Sequence, residues 1–260
     1  VSYFEVLAMQ AAAVGGAMVL LWLVSLPLRN ASIVDIAWSL GFVAVAWIGL
    51  AAVPAVGPRS WLLAILTTVW GVRLAGYLAW RNLGKGEDKR YTAMRNSYGD
   101  SFWIVSLGTV FLLQAALILV VSLPVQVGMF HPEPSAWPLV AAGGALWLVG
   151  FLFETVGDYQ LARFKADPDN RGKVMDRGLW RYTRHPNYFG DFCVWWGLLL
   201  IAVPDPEHLW IAVGPAVMSF LLLRVSGVTL LEKDLSRRPA YADYIRRTSA
   251  FFPRPPRESV

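Results

Sequence analysis

The stretch FWIVSLGTVFLLQAALILVVSL, residues 102–123, carries no charged side chain. At 1.5 Å of rise per residue a helix of that length reaches roughly 30 Å, the thickness of the hydrocarbon core of a bilayer. Its apolar residues do not alternate with period two, and lipid admits only helices or closed barrels as spanning structures, so the stretch predicts a membrane helix. Six further runs of the same character flank it, at 4–27, 32–53, 60–80, 137–157, 188–203 and 209–226. The first lacks a basic leader and stays apolar to Leu26, which predicts a retained helix and not a cleaved signal peptide. The predicted fold is an all-α integral membrane protein of seven transmembrane helices, one membrane domain over residues 1–260.

Composition agrees. With 56% hydrophobic and 16% charged residues among 260, the chain is not disordered, collagenous or disulfide-stapled. Thirteen Trp and sixteen Pro suit a membrane bundle, where Trp favours the headgroup level and Pro is tolerated inside helices. The single cysteine, Cys193, excludes an internal disulfide and a cysteine-rich metal site. His131, His185 and His208 are scattered along the sequence, so no metal is expected.

Placement of the basic residues sets the topology. Arg29 lies in the first loop, Arg81, Lys85, Lys89, Arg90 and Arg95 in the third, and Arg163, Lys165, Arg171, Lys173, Arg177, Arg181 and Arg184 in the fifth. The tail holds Lys233, Arg237, Arg238, Arg246, Arg247, Arg254 and Arg257, whereas the alternate loops hold only Arg59. By the positive-inside rule the N-terminus is outside and the C-terminus cytoplasmic, as an odd helix number requires. The net charge of +5 is thus a membrane signal; the expected partner is the lipid bilayer, with no nucleic acid. The polar segments 81–100, 158–187 and 227–260 then share one side, and the thirty-residue middle one is long enough to predict a functional cytoplasmic cap.

A charge inside a span costs roughly 2.5–3.5 kcal/mol on insertion scales, which makes each such residue a functional candidate. These are Asp35 in the second span, Arg73 in the third, Glu154 and Asp158 ending the fifth, Asp191 in the sixth and Arg224 ending the seventh. Trp70, Arg73 and Tyr77 share one helix face; Glu154 and Asp158 share another, and Asn187, Asp191 and Trp195 a third. For any single pair, mutual neutralisation or snorkelling to water is as good a reading as ligand binding. Carboxylates, amides, tyrosines and basic residues at one end of the same bundle together favour a polar ligand pocket. Nearby arginines and lysines suit an anionic ligand, and Asn187 with the acids suits ribose hydroxyls or a carboxamide. Neither a GxGxxG strand-turn-helix nor a Walker A motif is present, so a nucleotide would be held by side chains.

The segment RGLWRYTRHPNYFG (Arg177–Gly190), with Asp191 and Trp195 following, resembles the C-terminal domain of the membrane-bound steroid 5α-reductase family, especially its bacterial branch. The same core occurs in sterol C14 reductases and isoprenylcysteine carboxyl methyltransferases. GVRLAGYLAWRNLGKGEDKRY (Gly71–Tyr91) and the tail Glu232–Pro253, with Tyr241 and Tyr244, look like the bacterial branch too. The resemblance implies NADPH in a cavity that opens to the cytoplasm under a cap of loops, in a bacterial inner membrane, with residues 137–260 forming most of the cofactor site. Asn187 is similar to the family's nicotinamide-contacting Asn, Asp191 to its acidic partner, Asp158 and Lys165 to an acidic and a basic cofactor contact. Arg73 and Tyr77 keep an Arg–Tyr spacing of four in the third helix. Lys173, Arg181, Arg184 and His185 are implied phosphate contacts. Arg81, Glu154, Tyr182, Tyr188, Trp195, Glu232, Tyr241 and Tyr244 complete the expected cofactor set.

The implied reaction reduces the carbon–carbon double bond of a conjugated enone such as a 3-oxo-Δ4 steroid, by hydride transfer to the β-carbon with acid activation of the carbonyl. A donor at the carbonyl oxygen stabilises the developing enolate. The family's Glu and Tyr for that task are replaced here by Asp35 and Trp70. Asp35 is the expected donor, assisted by the Trp70 indole or a tyrosine, with Tyr77 the third catalytic candidate. The alternative is an S-adenosylmethionine-dependent membrane methyltransferase, which shares the core motif; a transporter is disfavoured because no inverted repeat is present.

Overall fold

The computed structural model describes residues 1–134, 136–225, 232 and 239–257, and every regular element among them is helical. Lys233, Arg237, Arg238 and the last residue of the expected seventh span lie outside the described residues. The chain forms two compact units, residues 1–135 with 202–213, and 136–201 with 214–260.

In the first unit α1 (Tyr3–Leu28) opens on a capping box: the Ser2 hydroxyl accepts from the Glu5 amide at 3.3 Å, and the Glu5 carboxylate accepts from the Ser2 amide at 2.7 Å. α1 ends at Arg29, in the left-handed region with φ 48°. α2 (Ile33–Ala52) and α3 (Pro58–Asn82) follow, with Pro58 at the first turn of α3, where its missing N–H costs nothing. The two pack closely at Gly71. A Cβ there would lie 2.9 Å from the Ser39 carbonyl oxygen, while the Ser39 hydroxyl donates to the Gly71 carbonyl at 2.9 Å. The buried Gln10 amide ties α1 to α2 through the Val45 carbonyl at 2.9 Å.

The segment expected as a polar loop, 81–100, is largely helical: α3 runs to Asn82, and α4 (Lys89–Tyr98) starts at Asp88, whose side chain caps the Arg90 amide at 2.9 Å. The stretch 102–123 is then not one α-helix. It comprises α5 (Phe102–Ser106), a π-helical segment Leu107–Leu112 and α6 (Leu113–Val121), followed by α7 (Leu123–Met129). At another end of this unit the buried Arg59 donates to the His131 carbonyl at 3.1 Å, and the His131 and His208 rings meet edge to face at 4.8 Å. These two histidines, scattered in sequence, are therefore neighbours; still, no group of three metal-type ligands occurs among the described residues.

In the second unit α8 (Trp137–Ala166) runs nine residues past the expected span end at 157. Helix formers such as Gln160, Leu161 and Ala162 sustain it, and Arg163 and Lys165 complement the macrodipole in its last turn. Short 3-10 turns at Pro168–Asn170 and Gly178–Arg181 lead to α9 (Pro186–Ala202). α10 (Val213–Phe220) passes into a π-helical segment Leu221–Val225, and α11 (Pro239–Arg247) carries the tail. α8 and α9 meet along glycines seven residues apart. A Cβ on Gly143 would lie 2.7 Å from the Gly197 carbonyl oxygen, one on Gly150 2.5 Å from that of Gly190, and one on Gly157 3.1 Å from Pro186.

Among the described residues six helical stretches are long and apolar enough to cross a membrane: Tyr3–Leu28, Ile33–Ala52, Pro58–Asn82, Lys89–Val121, Trp137–Ala166 and Pro206–Val225. α9 has 17 residues, roughly 25 Å of helix, a little short of the ~30 Å core.

Candidate functional site

The glycine contacts between α8 and α9 decide where the acids of the second unit stand. With only hydrogen atoms between the backbones, Glu154 and Asp158 on α8 are pressed against the first two turns of α9, and both are buried, at 3% and 4% exposure. The Asn187 amide donates to the Asp158 carboxylate at 3.2 Å. Asp191 stands one turn further along α9, half-buried, and Trp195 another turn on, fully buried. Of the two lines read from the sequence spacing, Asn187–Asp191–Trp195 and Glu154–Asp158, the Asn187–Asp158 bond joins one to the other at the α8–α9 interface. A carboxylate bonded to a carboxamide between close-packed helices suits ribose hydroxyls and an amide ligand, each of which needs both donors and acceptors. Lys165, Lys173, Arg181 and Tyr182 are exposed on the same unit.

Arg184 and His185, expected at a phosphate, are engaged with the protein itself. The Arg184 guanidinium grips Glu232 through two bonds of 2.7 and 2.9 Å and donates its remaining nitrogen to the Ile245 carbonyl at 3.2 Å and to the Thr248 carbonyl. That places a cation on the last carbonyls of α11. His185 Nε2 lies 3.0 Å from the same carboxylate, and its ring stacks on Tyr188 at 5.5 Å. Burial alone would raise the Glu232 carboxyl, but the hydrogen bonds of His185 and Arg184 and the Arg184 charge outweigh it and hold it at about 2. The Tyr244 hydroxyl donates to the Trp180 carbonyl, and the Trp180 indole donates to the Gly157 carbonyl at 3.0 Å. Burial pushes Tyr241 up to about 12, with the Glu232 charge adding to it. Glu232, Tyr244, Trp180 and Arg184 therefore order the segment that presents Asn187.

In the first unit Asp35 sits in the opening turn of α2. Its two oxygens accept from the Arg90 guanidinium at 2.8 Å and from the Tyr91 hydroxyl at 2.7 Å. The Gln114 amide reaches the Tyr91 oxygen at 3.4 Å, while its own carbonyl oxygen is buried with no partner among the described residues. Asp35, the expected donor, is thus a carboxylate that accepts on both of its oxygens. Trp70 is fully buried, with Phe42 edge-on at 5.7 Å. Tyr77 lies under the Arg81 guanidinium at 5.5 Å, and Arg73 is partly buried on the same helix. Beside Asp35, Glu87 holds the Ala31 amide at 2.8 Å and Arg95 at 2.8 and 3.0 Å, which fixes the chain around 29–32 against α4. Tyr91, Gln114 and Arg90 are not among the expected site residues, although Arg90 and Tyr91 close the segment Gly71–Tyr91 that carries part of the resemblance.

A bundle of helices long and apolar enough to cross a bilayer, with buried acids at one helix interface, defines a helical membrane protein. The chain belongs to the family described as "Protein of unknown function (DUF1295)", which it matches over residues 21–248. It is 30% identical over 90 residues to the 3-oxo-5-alpha-steroid 4-dehydrogenase 1 of Homo sapiens, covering 35% of this chain and 32% of that one. This agrees with the resemblance carried by the Arg177–Gly190 segment. It is also 32% identical over 111 residues to a probable O-methyltransferase, ustE, of Ustilaginoidea virens, covering 42% and 37%. A longer match, 27% identical over 271 residues and covering 90% and 76%, is to the uncharacterized protein C594.04c of Schizosaccharomyces pombe. The match spans about a third of the length of the reductase and of the methyltransferase. No solved structure matches the chain.

Proposed function

We propose that the protein is an NADPH-dependent membrane reductase that saturates the double bond of a conjugated enone on an apolar, steroid-like substrate. The observation that carries this reading is the bond between the half-buried Asn187 and the buried Asp158 at the α8–α9 interface, a donor and acceptor set that fits the ribose and carboxamide of a nicotinamide dinucleotide. The similarity to the human steroid dehydrogenase supports it. Seven membrane helices, with α9 as the sixth, an external N-terminus and a cytoplasmic C-terminus, are part of the proposal.

Glu154, Asp158, Asn187 and Asp191 would hold the nucleoside and nicotinamide ends, and the exposed Lys165, Lys173 and Arg181 its phosphates. Arg184, His185, Glu232, Tyr241 and Tyr244 order that surface. When bound, the cofactor supplies the hydride. The chain's own task is to stabilise charge on the substrate carbonyl. Asp35, accepting on both oxygens, orients the donor, and the assigned acid is Tyr91, in place of Asp35 and the Trp70 indole. Arg90 neutralises Asp35, Gln114 steadies the phenol, and the Tyr91 hydrogen swings from Asp35 to the carbonyl oxygen as enolate charge develops.

The test is NADPH-dependent enone reduction by detergent-purified protein carrying Asp35→Asn or Asn187→Ala, alongside fluorescence titration with NADPH. Loss of turnover in the first and of cofactor binding in the second is expected; full activity in both overturns the reading. The similarity to ustE favours a second reading, methyl transfer from S-adenosylmethionine. Saturable binding of that donor with no response to NADPH would select it.

A further inference from the structure

The tail of the second unit builds a cleft of about 280 Å3 that none of the roles above uses. Five of its lining residues are arginines: Arg184, Arg246, Arg247, Arg254 and Arg257. Carboxylates answer three of them. Glu232 takes Arg184, and Asp243 takes Arg246 at 3.1 Å and Arg247 at 2.7 Å, with Asp176 3.6 Å from Arg247. Arg254 and Arg257 are exposed and make no ion pair among the described residues. Among the described residues, five guanidinium groups against three carboxylates leave two positive charges at one small concavity.

The cleft is also held in shape. The Arg254 amide donates to the Tyr182 carbonyl, the Arg257 amide to the Arg247 carbonyl and the Arg184 amide to the Ser249 carbonyl, each at 2.9 Å; the Thr183 hydroxyl donates to the Phe251 carbonyl at 2.7 Å. Pro253, Pro255 and Pro256 stiffen the strand between those points. A tail that served only as a topology signal would need its charge but not this convergence. Guanidinium forks match phosphate oxygens, and the volume lies just below the roughly 300–1,000 Å3 of sites for drug-sized ligands, so the cleft has room for a phosphate group with a small substituent and not for a dinucleotide.

We propose that this arginine cleft is a phosphate-binding site, with Arg254 and Arg257 as the primary ligands and Arg246 and Arg247 as its walls. The phosphate is carried either by the headgroup of an anionic phospholipid or by a soluble phosphate ester. The inference is independent of the reductase reading, since none of these four residues belongs to the proposed cofactor or acid sites.

Full-length protein in neutral, phosphate-free detergent buffer is tested in two arms: calorimetric titration with inorganic phosphate, and native mass spectrometry for retained phosphatidylglycerol with phosphatidylcholine as control. Binding in the first arm assigns a soluble ester, selective phosphatidylglycerol adducts assign a lipid. In either case Arg254→Gln with Arg257→Gln should weaken binding at least tenfold. Both side chains are exposed and unpaired among the described residues, so the fold should survive; Arg257→Gln alone, with at least a threefold loss, serves if the double variant does not fold. No binding in either arm, or equal binding by wild type and variant, overturns the proposal.

Discussion

Glu232 illustrates how one side chain can govern a segment. It answers Arg184, which is 7% exposed and has no other anion within the contacts described. Removing one member of a buried pair leaves the other charged and uncompensated, at a cost of about 3 kcal/mol or more. Glu232→Ala should therefore lower the thermal midpoint of the detergent-solubilised protein well beyond an exposed control such as Asp100→Ala. The same pair sets a pH dependence. Because the folded Glu232 carboxyl is held near 2 against an ordinary 4.5, its contribution is complete above about 4.5 and is lost as pH falls toward 2. Acid unfolding followed by tryptophan fluorescence should show a transition in that window that Glu232→Gln reduces. Tyr91 makes a different kind of prediction. Tyr91→Phe removes the proposed proton donor while keeping the ring, so enone reduction should fall by roughly a hundredfold, the lower end for acid–base catalysis, with NADPH affinity unchanged.

At the scale of elements, the α8–α9 contact carries the arrangement of the proposed cofactor groups. Gly190 faces the Glu154 nitrogen and the Gly150 carbonyl oxygen at 2.5 Å from where a Cβ would stand, and backbone atoms cannot swing aside as a side-chain tip can. Gly190→Ala should cost about 3 kcal/mol, the upper part of the range for overpacking, and should abolish nucleotide binding by separating Asn187 from Asp158. Gly144→Ala is the internal control: nothing lies within 4 Å of its Cβ, and Ala is the better helix former, so stability should hold or rise. Differential scanning fluorimetry of the two variants decides the point. The seven-residue spacing of Gly143, Gly150 and Gly157 is visible in the sequence, but the glycines that face them, 190 and 197, come after a thirty-residue segment. Spacing alone could not pair them.

For the whole molecule, what was legible followed from length and composition. The apolar runs at 4–27, 32–53 and 60–80 coincide with α1, α2 and α3 because a run of twenty residues with a single charge has few alternatives. The helical faces carrying Asn187, Asp191 and Trp195, or Glu154 and Asp158, were legible for the same reason: period 3.6 is local. Asp35 and Tyr91 are 56 positions apart, and Arg184 and Glu232 48 apart, so no local pattern connects them. The extension of α8 to Ala166 was hidden because its last turns are polar, and polarity was read as the end of the helix when it marked only the end of the apolar run. The proposed topology has its own test. Single cysteines at positions 173 and 207, in a Cys193→Ala background, should react with an impermeant thiol reagent from opposite faces of a sealed vesicle. Labelling from the same face would mean that α9 does not cross.

The π-helical turn at Leu107–Leu112 amounts to an α-helix holding one surplus residue. Each residue advances a helix by about 100°, so the surplus sets the rotational phase of everything after it. Gln114, two positions beyond, meets the Tyr91 hydroxyl in that phase. Excising a single residue such as Thr109 should let the turn relax to regular α geometry and swing Gln114 away from the phenol, leaving a protein that inserts normally and turns over slowly. In that sense the fourth membrane segment has a clock hand, and one residue sets the hour.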